Sequence, residues 1–138
     1  MLLRLSDDDY ASLAQFRLQI RRFLEFSRDA VEDAGLTTQQ HQVLLAIRAL
    51  ELDGPVVIRR LAEWLQLKHH SVIGLVDRLQ ARGLVRREHD ADDRRCVRLR
   101  LTRPGAALLA DLSRAHRTEL RAAAPALVAS LSRLLSER

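Results

Sequence analysis

The chain changes its hydrophobic rhythm between Gly83 and Thr102, and that change limits the folds open to it. Upstream, Val72, Leu75, Val76 and Leu79 recur at i, i+3, i+4 and i+7, which is one face of an α-helix. Downstream, Leu84, Val85 and then Val97, Leu99 and Leu101 alternate with Arg86, Arg98 and Arg100, as in two half-buried strands. The polar run from His89 to Arg95 between them suits a hairpin tip. A two-stranded hairpin is barely stable alone, so this one must pack on helices. The expected fold is mainly α with one small β-hairpin.

Helical spacing governs the rest. Leu13, Phe16, Ile20, Phe23, Leu24 and Val31 predict a helix from Asp7 to about Ala34, with Ser6 as N-cap and Gly35 as stop. Asp7, Asp8 and Asp9 suit the positive end of its dipole. A second helix begins at Thr38, buries Val43, Leu44, Ile47 and Leu50, and ends at Asp53-Gly54-Pro55. Val56-Val57-Ile58 is too short to form more than a bridging strand. Arg59–Leu65 reads as a short helix with Leu61, Ala62 and Leu65 inward, followed by a turn at Gln66-Leu67 and a helix to Arg82. Thr102 can cap a long helix carrying Leu108, Leu109, Leu112 and Ala115. Pro125 suits the first turn of a separate last helix with Leu127, Val128, Leu131, Leu134 and Leu135.

The 138 residues fit one domain, and 47% apolar content supports a real core. The longest stretch without a charged residue is the twelve residues Leu36–Ile47, too short and too polar to span a membrane. The Asp7–Asp9 run argues against a signal peptide, and a single Cys against an intrachain disulfide, so a cytoplasmic setting is expected. The net charge of +5 is unevenly spread. Pro55–Gly105 holds 12 Lys or Arg and 6 Asp or Glu, leaving 11 and 12 elsewhere, so the excess is confined to this segment. A localised basic surplus points to a polyanionic partner.

Short helix, tight turn, longer helix and hairpin is the order of a winged helix-turn-helix. An α-helix fits the DNA major groove, and a hairpin beside it can reach the minor groove or backbone. With Val72, Leu75, Val76 and Leu79 inward, His70, Gly74, Asp77 and Arg78 face out, flanked by Lys68, His69, Ser71 and Ile73 near the N-terminal end. Gly74 lowers helix stability by roughly 1 kcal/mol relative to Ala; close approach to a ligand is one use for it.

From Leu61 to Gly105 the sequence resembles the MarR (multiple antibiotic resistance regulator) transcription factors. The stretch Leu75–Arg87 is similar to their recognition helix running into the wing. Asp90-Ala91-Asp92-Asp93-Arg94-Arg95 followed by Leu99–Gly105 is similar to their wing. The resemblance implies a winged helix-turn-helix lobe over 36–103 and dimerisation helices over 1–35 and 104–138. It implies a sequence-specific double-stranded DNA-binding regulator: a ligand-responsive homodimeric repressor on a palindromic operator, with a small aromatic effector as the first expectation. In this family the tip Arg enters the minor groove and a nearby Asp orients it; Arg95 with Asp93 fits those roles best, with Arg94 as the alternative. Asp77 reads as an orienting partner for an Arg. The sequence departs from the family at Gln66, where Gly is usual, at Lys68, where a capping residue is usual, and at Ala91, where Pro is frequent.

Other readings are weaker. A basic helical module for RNA or protein would not need the wing signature, and a constitutive DNA-binding protein would lack effector response. Cys96 has no second thiol to resolve an oxidised sulfur, so packing is its expected role. His41, His69, His70, His89 and His116 lack spacing that completes a metal set with a carboxylate, so no metal and no cofactor is expected. With no phosphate-cradling Gly loop and no nucleophile–base pair, the chain is not expected to be an enzyme.

Overall fold

The structure, a computed structural model, describes residues 4–136. The outermost residues of the two terminal segments, 1–3 and 137–138, lie outside the described residues. The elements run α1 (Asp7–Asp33), α2 (Thr38–Leu50), α3 (Ile58–Leu65), α4 (His69–Ala81), β1 (Val85–His89), β2 (Val97–Leu101) and α5 (Arg103–Leu135), with a 3-10 turn at Glu51–Asp53.

Local chemistry sets the helix ends. At the start of α1, Ser6 Oγ accepts from Asp9 N at 3.2 Å, while the Asp9 carboxylate accepts from Ser6 N at 2.7 Å. Thr37 and Gln40 form the same reciprocal box ahead of α2, at 3.1 and 3.0 Å. Helix α1 stops at Gly35, whose φ of +78° lets Leu36 N reach Val31 O and Gly35 N reach Glu32 O. The same paired bonds end α4 at Gly83, φ +71°, through Leu84 N to Leu79 O and Gly83 N to Gln80 O.

Two compact units result. One comprises residues up to Ala30 with Arg114 onward; the other is Val31–Ser113. In the second, Val43, Leu44, Ile47, Leu61, Val72, Val76, Leu79, Val85 and Leu99 are fully buried and form the centre of the core. Burying each such side chain contributes about 1.5–3 kcal/mol. The hairpin is antiparallel, with Val85 opposite Leu101, Arg87 opposite Leu99 and His89 opposite Val97. Leu99 N also donates to Val56 O at 2.7 Å. That single bond is all that forms of the expected bridging strand, because Ile58 already belongs to α3.

Gly105 sits where α5 meets the end of α4. A Cβ there would lie 2.0 Å from the carbonyl oxygen of Leu84, so no side chain fits. Thr102 caps the helix, its Oγ1 accepting from Gly105 N at 3.1 Å and donating to Gly83 O. Helix α5 then runs unbroken through Pro125 to Leu135, which corrects the expectation of two helices. Pro125 removes one N–H, the one that would bond Arg121 O, and the surrounding alanines and leucines are strong helix formers that carry the rest.

In the first unit, His116 Nε2 lies 2.7 Å from Ser27 Oγ, between the ring edges of Phe23 and Phe26 with centroids 5.8 Å away. Leu13, Ile20 and Leu24 on α1 remain exposed, as do Leu120, Val128, Leu131 and Leu135 on α5. Their spacings, i, i+7, i+11 and i, i+8, i+11, i+15, put each set on one stripe of its helix.

Candidate nucleic-acid interface

Helix α3, the turn at Gln66–Lys68 and helix α4 form the helix-turn-helix. Gln66 takes the left-handed conformation, φ +55°, a region that favours Gly. Leu67 N to Ala62 O and Gln66 N to Glu63 O close the end of α3 around it. At Lys68 the backbone is extended and no side chain caps α4, yet the helix begins at His69 through Val72 N to Lys68 O. The connector before α3 is pinned by Arg60, whose Nη1 donates to Leu50 O at 2.9 Å and Gly54 O at 3.0 Å.

With Val72, Leu75, Val76 and Leu79 buried, α4 turns the expected residues outward. His69, His70, Asp77 and Arg78 are exposed, and Ser71, Ile73 and Gly74 are half-buried beside them. Lys68 is exposed at the helix start. Beyond the strands, carboxylates shape the tip. Asp90 Oδ1 accepts from Asp92 N, and Asp93 Oδ1 from Arg95 N, each at 3.0 Å. Asp90 N to Cys96 O and Cys96 N to Asp93 O, also 3.0 Å each, close the loop. Asp93 thus holds the backbone of Arg95 and makes no hydrogen bond to its guanidinium. Arg94 and Arg95 are exposed, and no hydrogen bond or ion pair engages either guanidinium among the described residues. Cys96, half-buried, precedes β2 by one residue. Among the described residues no three His, Cys, Asp or Glu side chains converge as metal ligands would. No described helix is long and apolar enough to cross a membrane.

Asp77 has a definite partner, and it is Arg87 at the root of the wing. Arg87 Nη2 lies 2.8 Å from Asp77 Oδ1, and Nη1 donates to Gln80 Oε1. One guanidinium thus joins β1 to the outer face of α4. Sequence alone gives Arg87 no role of its own. The alternation contained the signal, because Arg87 shares the face of Val85 and Leu99, where an unpaired charge would be costly. Arg82 likewise donates to Gly35 O, joining the end of α4 to the end of α1.

A sequence profile of the MarR family matches residues 34–95, which span the helix-turn-helix and most of the wing. The HTH-type transcriptional repressor MdtR of Bacillus subtilis is 31% identical over 77 residues, 56% of this chain. The chain spans about half of that relative, 48% of its length. The structure of CouR from Rhodococcus jostii RHA1 bound to p-coumaroyl-CoA superimposes with a TM-score of 0.61, at 29% identity over 72% of this chain and 68% of CouR. A mutant of S. aureus MepR bound to an oligodeoxyribonucleotide gives a TM-score of 0.68 at 23% identity, covering 97% and 87% of the two chains. The helix-turn-helix, the capped wing and these matches agree: over residues 34–95 the chain is similar to the MarR family.

Proposed function

We propose that this protein is a sequence-specific regulator of transcription that binds duplex DNA as a homodimer, represses, and is relieved by a small ligand. One observation carries the reading. Lys68, His69, His70, Arg78, Arg94 and Arg95 are exposed on α4 and the wing tip without partners among the described residues. In the same lobe Arg60, Arg82, Arg86, Arg87 and Arg100 are engaged in hydrogen bonds or ion pairs. Lys68, Arg78, Arg94 and Arg95, cations left unpaired on a projecting helix and loop, are matched by a phosphate backbone.

In this reading His70, with His69, Ser71, Ile73 and Gly74 around it, faces base edges of the major groove. Lys68 and Arg78 hold phosphates at the two ends of α4. Arg95, or Arg94 beside it, enters the narrow minor groove, where negative potential is strong and the base code is degenerate. The exposed stripes on α1 and α5 supply the dimer contact, and a two-fold dimer requires a palindromic site. CouR was solved with p-coumaroyl-CoA, and a small aromatic ligand is the effector class we assign here.

Selection from a library of random duplexes tests this reading. The expected product is an inverted repeat with half-sites about one helical turn apart. If no sequence is enriched and structured RNA competes as well as duplex DNA, the protein is a general polyanion binder instead.

A further inference from the structure

The outer face of the wing carries four charges: Arg86 and Glu88 on β1, Arg98 and Arg100 on β2. The register sets Arg86 opposite Arg100 and Glu88 opposite Arg98. Like charges directly opposite should repel. Glu88 relieves this by taking both: Oε1 lies 2.7 Å from Arg86 Nη2, and Oε2 lies 2.7 Å from Arg100 Nε. The Arg100 contact is a close ion pair rather than an aligned hydrogen bond. Arg98, the direct cross-strand neighbour of Glu88, is left without an ion pair among the described residues, and its Nε is buried and unbonded. One carboxylate therefore occupies two of three arginines on a surface beside the wing tip.

We propose that Glu88 is a specificity-determining residue of the wing, because it withholds Arg86 and Arg100 from DNA phosphates. This inference rests on the DNA-binding reading above. With Glu88 present, the outer face offers one free guanidinium, Arg98, and sequence-independent attraction stays low. Without it, three guanidiniums face the backbone, and each new phosphate contact adds the same affinity to every sequence. A regulator gains nothing from that addition, since genomic non-specific sites compete with the operator. The carboxylate costs the protein total affinity and improves its discrimination.

The test uses the full-length protein with a Glu88→Gln exchange, and Asp92→Asn as control. Asp92 is exposed in the same hairpin and its carboxylate has no partner among the described residues, so the control changes net charge equally without releasing an arginine. Affinity for a scrambled duplex is measured over a series of salt concentrations, and elution from immobilised heparin is measured in parallel. Glu88→Gln should bind the scrambled duplex about three- to tenfold more tightly than Asp92→Asn, with a salt slope steeper by one to two units. Adding Arg86→Ala and Arg100→Ala to Glu88→Gln should abolish the gain. In the wild-type background Arg98→Ala should flatten the slope by about one unit while Arg86→Ala leaves it unchanged.

Equal behaviour of Glu88→Gln and Asp92→Asn on both polyanions overturns the proposal, as does a slope lost equally in Arg86→Ala and Arg98→Ala. A wild-type protein that ignores duplex DNA defeats the functional reading separately, and the heparin shift still decides whether Glu88 restrains the two arginines. Thermal melts of each variant identify a Glu88→Gln chain that is merely unfolded; the Arg86→Ala and Arg98→Ala comparison then decides alone.

Discussion

Arg87 on β1 and Asp77 on α4 face each other at 2.8 Å, so the root of the wing is fastened to the outer face of α4. The carboxylate is 59% exposed and the guanidinium 27%. An ion pair this open contributes about 0.2–1 kcal/mol. Asp77→Asn should therefore lower the melting temperature by only a few degrees. Arg87→Ala should cost more, because it also releases Gln80 and removes a stem packed on the inward face of the hairpin. Parallel melts of the two variants measure the difference; equal losses would mean the pair itself carries all of it.

Gly105 and Gly74 make opposite predictions. At Gly105 an added methyl would meet Leu84 O at 2.0 Å, so Gly105→Ala must displace α5 or the end of α4 and should lose about 1–3 kcal/mol or more. At Gly74 the nearest atom to an added Cβ is the tip of Arg78, 4.0 Å away. Gly74→Ala should stabilise the helix by up to about 1 kcal/mol while weakening operator binding through lost room at the base edges. Urea titrations and binding curves on the same preparations separate the two effects.

Reader and anchor are distinguishable by salt. Arg95→Ala should weaken operator and scrambled duplex by similar factors and flatten the salt dependence by about one counterion. His70→Ala should lower the ratio of specific to non-specific affinity, by about 1 kcal/mol for one base contact. If His70→Ala alters both affinities equally while Arg95→Ala affects only the operator, the roles are reversed.

The apolar stripes on α1 and α5 predict self-association. Leu24→Glu places a charge within the α1 stripe of Leu13, Ile20 and Leu24 and, if that stripe is buried between subunits, should shift the sedimenting species toward the 15.7 kDa monomer. A wild-type chain that already sediments as a monomer at micromolar concentration refutes the dimer.

Much of the fold was legible because periodicity reports burial. The α4 stripe is buried as its spacing indicates, the hairpin alternation holds for Leu84, Val85 and Leu99 while Val97 and Leu101 are only half-buried, and Gly35 and Gly83 stand where the chain must turn left-handed. Two local readings failed for related reasons. At Val56–Ile58 a β-branched run proposed a strand, yet one bond to Leu99 is made before α3 begins. At Pro125 a helix-breaking residue proposed a boundary, yet the flanking residues hold the helix through it. In both, tertiary context and neighbours outweighed a local preference. The arginines were the least legible part of the site. Arg60, Arg82, Arg87 and Arg100 read alike in sequence as basic residues, and only packing separates the fastened from the unpaired. Long side chains choose partners across 5 to 47 positions of sequence, which no short window reveals.

The near-total use of Arg leaves Lys68 as the one lysine, exposed at the first turn of α4, and Cys96 as the one thiol, at the closing edge of the wing loop. Amine-directed and thiol-directed dyes can thus address α4 and the wing separately, apart from the chain's α-amine, without removing any competing side chain. A donor at one and an acceptor at the other would report the distance between α4 and the wing during a titration, so the chain contains the attachment points for its own optical ruler.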